Sequence, residues 1–303
     1  MVEVGKAKIA VIGAGLMGHG IAQVFALTGH EVTLTDTIVQ NLDTAKSRIA
    51  ANLRDLGDDE KAVERVEPCF DLAGAVRNAD YVVEAVSENL PLKQKLFVEV
   101  ERHVRPDTIL ASNTSVIPIT AIMQGLQKRE RALGTHWWNP PFLVPLVEVI
   151  ETQWTSPQAV AWTMELHRAA GKQPAHVKKD VPGFIGNRLQ HALWREAISL
   201  VENGICDAET VDAVIKASFG RRIAVLGPLE NADLVGTDLA LAIHETVLPA
   251  IDSRPGPSPY LKKLVADGKL GFKSGEGFRK WSAEEQAALR AKVFAHLKAM
   301  RDG

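Results

Sequence analysis

At 303 residues, 46% hydrophobic and 24% charged, the chain is long enough for two domains with their own cores and too apolar to read as disordered. A formal net charge of -2 leaves no basic field for nucleic acid or an anionic membrane, which favours small-molecule partners. The two cysteines, Cys69 and Cys206, lie far apart without a CxxC spacing, so neither a disulfide framework nor a metal site is indicated and a reducing, cytoplasmic setting fits.

Residues 1–8 are short and mixed, with no room for a signal peptide, and no apolar run approaches the roughly 18 residues of a membrane span, so a soluble protein is expected. Residues 8–12 form a short apolar run that stops at glycines, after which Leu16, Ile21, Val24 and Phe25 recur at helical spacing until Gly29: strand, turn, helix. Residues 31–36 predict a second strand, and apolar runs at 81–86, 108–111, 131–135 and 146–150 alternate with helical stretches, which implies a mostly parallel sheet. Ser156 and Pro157 predict a capped helix start, Gly171 its end, and residues 175–178 a late strand. After Pro182 and Gly183 the pattern turns to helices alone, beginning with 184–203 and 208–218. The chain therefore reads as α/β, with a doubly wound sheet in residues 1–182 and an all-helical C-terminal domain in residues 183–303. Ser282 with Glu285 forms a capping box that opens an amphipathic last helix, read as packing or subunit contact.

The turn Gly13-Ala14-Gly15-Leu16-Met17-Gly18 follows a predicted strand, opens a helix, and is followed by Asp36 at the end of the next strand. In that context it reads as a dinucleotide site of Rossmann type. Gly13 permits the tight turn, Gly15 lets the backbone approach a pyrophosphate, and Gly18 lets helix and strand pack closely, while the helix N-terminus supplies the anion site. Asp36 would accept a hydrogen bond from a ribose 2'-hydroxyl and repel a 2'-phosphate, and Thr37 beside it brings no arginine to offset that, so NAD is expected over NADP. Glycines serving only a tight corner, or an FAD site, are the alternatives.

His136 ends a predicted strand, where the carboxyl edge of a parallel sheet faces the cofactor crevice, and Glu148 on the next predicted strand could orient its ring and stabilise the imidazolium. A lone histidine is more often a packing or surface residue; the carboxylate partner is what favours acid-base chemistry. The base must be neutral to accept a proton, so oxidation is expected to improve as the pH rises.

Several motifs in order carry a family resemblance. They are the glycine turn, Glu84-Ala85-Val86-Ser87-Glu88-Asn89 leading to Lys93, Ser112-Asn113-Thr114-Ser115, Gly134-Thr135-His136-Trp137-Trp138-Asn139-Pro140-Pro141 with Leu146-Val147-Glu148-Val149, Pro182-Gly183-Phe184-Ile185-Gly186-Asn187-Arg188, and Gly271-Phe272-Lys273-Ser274-Gly275-Glu276-Gly277-Phe278. Along nearly its whole length the chain resembles the 3-hydroxyacyl-CoA dehydrogenases. The resemblance implies oxidation of an (S)-3-hydroxyacyl-CoA to its 3-oxo product in fatty acid metabolism, with His136 as general base, Glu148 as its partner, and Ser115 and Asn187 holding the substrate oxygen. Such neutral donors can follow an oxygen as it becomes a carbonyl; without the match, Ser115 reads equally as a helix cap and Asn187 as an early-helix polar residue. It also implies that Gly13, Gly15, Leu16, Met17, Gly18, Asp36, Glu88, Lys93, Asn113, Ser115 and Asn139 line the NAD site, that no metal is needed, and that the helical half makes a homodimer.

The pattern departs from the family in two places. Trp137 and Trp138 stand where it has phenylalanines, and the segment between Asp36 and Asp71, where the acyl-CoA enzymes hold the adenine end of CoA, is shorter by roughly two helical turns. The tryptophans could stack on a flat substrate or fill the sheet edge. Lys46, Arg48, Arg54, Lys61 and Arg65 could meet CoA phosphates or form a solvated face, and Arg221 and Arg222 could hold a substrate anion or simply end a helix. Family members acting on sugar acids, carnitine or a pyridine carboxylate share similar wording, and residues 177–184 resemble the last group most, so a non-CoA hydroxy acid or aromatic alcohol or aldehyde is the second substrate reading. A catalytically silent nucleotide-binding protein, like the lens crystallin relative of this family, is a third.

Overall fold

Seven of the short apolar runs, with one further short strand, form a single eight-stranded sheet in the computed structural model, which describes residues 1–302. The strands are β1 (Ile9–Ile12), β2 (Val32–Thr35), β3 (Val66–Pro68), β4 (Tyr81–Glu84), β5 (Ile109–Ser112), β6 (Ala132–Trp137), β7 (Leu146–Ile150) and β8 (Gln173–Val177), in the order β3-β2-β1-β4-β5-β6-β7-β8. β1, β4 and β5 are buried throughout, which is why they read as continuous apolar runs rather than alternating ones. Alternate residues serve opposite layers: Ile9 and Val11 join Phe25, Tyr81 and Trp137 on one face, whereas Ala10 joins Val82, Phe97 and Leu110 on the other. The strand order reverses between β1 and β4, and ligands of such sheets bind outside the carboxyl ends at that point.

Two features were not foreseen. β3 is a three-residue edge strand ending on Pro68, too short for a period-two pattern. β7 runs antiparallel to β6, and the register pairs His136 with Glu148. The helix caps follow the sequence: the Ser156 side chain accepts from the Ala159 amide at 3.2 Å, and Ser282 and Glu285 exchange bonds of 3.2 and 2.8 Å.

The chain forms two compact units, Met1–Arg188 with Ala295–Gly303, and Leu189–Phe294. The end of the last helix thus belongs to the sheet unit. There Lys298 Nζ donates to the Asp55 carbonyl at 2.6 Å and Arg301 pairs with Asp58 at 2.8 Å, so two cations stand at the C-terminus of the Ala45–Leu56 helix. The second unit is helical, with segments at Ala208–Ala217, Pro228–Val235, Thr237–Val247 and Pro259–Ala266. Among its described residues only Ser199 and Leu264 are buried, and a cavity of about 590 Å3 is lined by Trp194, Val211, Leu264 and Phe278. No helix among the described residues is long and apolar enough to cross a membrane, and Cys69 and Cys206 are unpaired.

Candidate active site

The glycine turn sits at the strand reversal. A Cβ on Gly18 would lie 1.6 Å from the Gly13 carbonyl oxygen, and one on Gly13, at φ 99°, would lie 2.7 Å from the Ala85 carbonyl oxygen, so a side chain at either position forces β1, β4 and the following helix apart. Nothing stands within 4 Å of the corresponding point on Gly15. Gly15 also opens the Leu16–Leu27 helix without a side-chain cap, leaving its first amides free for an anion. Asp36, at the end of β2, accepts from the Ala14 amide at 2.7 Å, the Ile38 amide at 2.8 Å and Asn41 Nδ2 at 3.2 Å. An open backbone cradle, an uncapped helix and a fixed carboxylate fit a dinucleotide's pyrophosphate and ribose. Leu16 is exposed at the turn and Met17 half-buried.

The antiparallel pairing of β6 and β7 brings His136 Nδ1 to 2.7 Å from Glu148 Oε2, with both side chains buried. Glu148 Oε1 accepts from the amides of Ile185 at 2.8 Å and Gly186 at 3.0 Å. Burial works to raise the Glu148 carboxyl, but the His136 ring and these two amides outweigh it and hold it below its usual range. An ionised Glu148 can only accept, which puts the proton of a neutral His136 on Nδ1 and leaves the Nε2 lone pair available. The two amides are aimed by a sharp backbone reversal: Gly183 has φ 74° and Phe184 φ 50°, a left-handed conformation that a bulky residue adopts only when its surroundings enforce it. Phe184 is buried against the imidazole at a ring separation of 5.6 Å. This support by Phe184, Ile185 and Gly186 was missed in the sequence reading, because backbone amides leave no residue signature.

Ser115 and Asn187 are brought together, Asn187 Nδ2 donating to the Ser115 carbonyl at 2.9 Å, with the Ser115 hydroxyl on an exposed residue. Glu88 Oε1 gathers the Thr114 hydroxyl at 2.5 Å and the amides of Ser115 and Val116 at 3.0 and 3.1 Å. Burial raises the Glu88 carboxyl, yet the Thr114 hydroxyl, the Lys93 charge and those amides leave it lowered. Lys93 itself is 1% exposed and bound to Glu84 at 2.6 Å, while Glu84 also takes the Ser112 hydroxyl. Removing one member of such a buried pair costs about 3–5 kcal/mol. Asn113 Oδ1 accepts from the Trp137 amide at 2.8 Å and fixes the ends of β5 and β6, and Asn139 is exposed.

Strand alternation separates the two tryptophans. Trp137 points into the core, 2% exposed, against Phe25 and His167. Trp138 shares the face of His136, half-buried, with ring centroids 5.4 Å apart, and occupies space that a side chain at Gly186 would need: a Cβ there would lie 2.4 Å from Trp138 Cζ2. Of the arm cations, Arg54 pairs with Glu60 at 2.8 Å, Arg65 donates to the Ala26 carbonyl at 3.3 Å, and Arg48 turns inward to the glycine turn. Arg221 and Arg222 are exposed.

A dinucleotide turn at a sheet's switch point, with a carboxylate-steadied imidazole on the same sheet, defines a nicotinamide-dependent dehydrogenase. Residues 8–181 match the model of the 3-hydroxyacyl-CoA dehydrogenase NAD binding domain and residues 183–281 that of its C-terminal domain. The chain is 40% identical over 290 residues to human mitochondrial hydroxyacyl-coenzyme A dehydrogenase, covering 90% of each. It is 37% identical over 299 residues, 97% of each chain, to 5-formyl-3-hydroxy-2-methylpyridine 4-carboxylate 5-dehydrogenase of Mesorhizobium japonicum. A crystal structure described as that pyridine enzyme, an NAD+ dependent dismutase, superposes with a TM-score of 0.92 at 36% identity, over 98% of this chain and 97% of its own. The chain belongs to the 3-hydroxyacyl-CoA dehydrogenase family, whose members are NAD-dependent enzymes acting on CH-OH groups.

Proposed function

We propose that this protein oxidises a hydroxyl to a carbonyl with His136 Nε2 as general base. The observation that carries the reading is the His136–Glu148 bond of 2.7 Å with its two amide supports, which fixes both ring orientation and tautomer. NAD bound there would supply the acceptor for the hydride that leaves the carbinol carbon. His136 removes the hydroxyl proton, Glu148 stabilises the resulting imidazolium, and the Ser115 hydroxyl and Asn187 amide steady the oxygen. Gly13, Gly15, Leu16, Met17 and Gly18 would cradle the pyrophosphate and Asp36 the adenosine ribose. Glu88 and Lys93 would hold the far side of the cofactor together with Asn113, Ser115 and Asn139; Lys93 would act there by fixing Glu88, 3.5 Å away.

The family supports a (S)-3-hydroxyacyl-CoA as substrate, and with it a role in fatty acid metabolism. A compact hydroxy acid or aromatic alcohol or aldehyde without CoA is the second reading. It is favoured by the flat Trp138 ring beside His136 and by Arg48, Arg54 and Arg65 being engaged by protein partners. Turnover of NADH with acetoacetyl-CoA, set against a panel of free hydroxy acids and aromatic aldehydes, decides between them. Oxidation of NADH by acetoacetyl-CoA supports the first; activity confined to the free acids or aldehydes supports the second; none with any carbonyl compound overturns the dehydrogenase reading. The exposed Leu234, Leu239, Leu241 and Ile243 of the second unit support a homodimer closed through helix faces, and the two unpaired cysteines a cytoplasmic setting.

A further inference from the structure

Arg48 lies in the Ala45–Leu56 helix, outside every motif of the cofactor site, and its guanidinium closes a ring of hydrogen bonds around Asp36. Asp36 Oδ2 accepts from the Ala14 amide at 2.7 Å, the Ala14 carbonyl accepts from Arg48 Nη2 at 2.7 Å, the same nitrogen donates to the Asn41 carbonyl at 2.7 Å, and Asn41 Nδ2 returns to Asp36 Oδ2 at 3.2 Å. Arg48 Nη1 also lies 3.0 Å from His19 Nδ1, which in turn is 2.7 Å from the Gly15 carbonyl. The peptide units on both sides of Ala14 are therefore held, one by a carboxylate and one by a guanidinium. Charge-assisted bonds of this kind are about twice as strong as neutral ones, and one planar cation can serve two carbonyls at once. Arg48 Nε is buried without a partner among the described residues, so the side chain is placed for what its terminal nitrogens do and not for full satisfaction of its own donors.

We infer that Arg48 is a positioning residue for the cofactor turn, setting the affinity for the adenosine half of NAD by holding the Ala14 peptide and Asp36 in binding geometry. The inference rests on the assignment of Asp36 to the adenosine ribose. Without Arg48 the Ala14 carbonyl loses its restraint, and with it the amide that orients Asp36. A cation that merely packs the helix would change stability without distinguishing the two halves of the cofactor.

The test is binding of NADH, ADP-ribose and nicotinamide mononucleotide to the full-length wild type and to Arg48→Met, Arg48→Lys and Asn41→Ala. We expect Arg48→Met to weaken NADH and ADP-ribose by the same factor of about ten, nicotinamide mononucleotide by less than twofold, and to raise KM for NAD more than it lowers kcat. A factor of ten corresponds to about 1.4 kcal/mol, the scale of one hydrogen bond to a charged group. Arg48→Lys should recover part of the loss through the Ala14 carbonyl, and Asn41→Ala, which opens the ring between Asn41 and Asp36, should cost about threefold. An NADH Kd within twofold of wild type in folded Arg48→Met overturns the inference, as does an equal loss for nicotinamide mononucleotide. If Arg48→Met does not fold, unchanged NADH affinity in both Arg48→Lys and Asn41→Ala overturns it. Wild type that binds no ADP-ribose would instead refute the turn as the adenosine site.

Discussion

The sheet unit and the helical unit of this chain solve the burial problem differently. In the first, both faces of the sheet are covered, the largest side chains are fully buried, and the charged side chains Glu84, Glu88, Lys93 and Glu148 each have hydrogen-bond partners. In the second, apolar side chains such as Leu229, Leu234 and Leu241 stand exposed along their helices and only Ser199 and Leu264 are buried. Chemistry that needs fixed distances belongs on the element that is complete in itself, whereas an element that leaves apolar faces open is built to cover them with something else.

That contrast can be attacked from the catalytic end first. His136→Gln should reduce turnover about a thousandfold while leaving NADH affinity close to wild type, because the proton acceptor is lost and the nucleotide turn is untouched; steady-state kinetics with NADH titration checks this, and retained turnover removes His136 as the base. The interior of the sheet unit should also respond to acid. Burial, against the help of the Thr163 carbonyl and with the Lys172 charge adding to it, lowers His167 from 6.5 to about 4, so the folded state keeps this ring neutral while the unfolded chain protonates. Stability is then unaffected above pH 6.5 and falls by roughly 3 kcal/mol as the pH drops towards 4. Denaturant titrations at pH 7 and 4.5 measure the fall, and His167→Gln should flatten it.

On the helical side, Leu234→Glu with Leu241→Glu should weaken self-association by about a hundredfold or more with little loss of monomer stability, since both side chains are exposed in the single chain. Sedimentation equilibrium reads this, and wild type that stays monomeric at high concentration ends the homodimer proposal. The smallest effect is at Asp36. Asp36→Ala should raise KM for NAD about tenfold and relax discrimination against NADPH; an unchanged preference in coupled assays with both cofactors would count against Asp36 as the ribose acceptor.

What could be read from residues alone differs from place to place within the sheet unit. The glycine turn, Asp36 and the His136–Glu148 pair were legible because each demands a residue type at a fixed place in a strand-turn-helix frame. The antiparallel return of β7 was not, since a five-residue apolar strand looks the same in either direction, yet it is what sets Glu148 opposite His136. Arg48 reads as one of five arm cations, and only the fold turns it inward. Trp137 and Trp138 look equivalent in a sequence and are assigned opposite faces by the alternation of the strand. The amides of Ile185 and Gly186 carry no side-chain signal at all.

The last turn of the chain grips the far end of the helix that bears Arg48, through Lys298 on the Asp55 carbonyl and Arg301 on Asp58. A fusion placed after that turn would pull on the same rod that steadies the nucleotide loop, while one joined ahead of the exposed Met1 would not. Where an affinity handle is attached thus becomes a mechanical variable in any measurement of coenzyme binding.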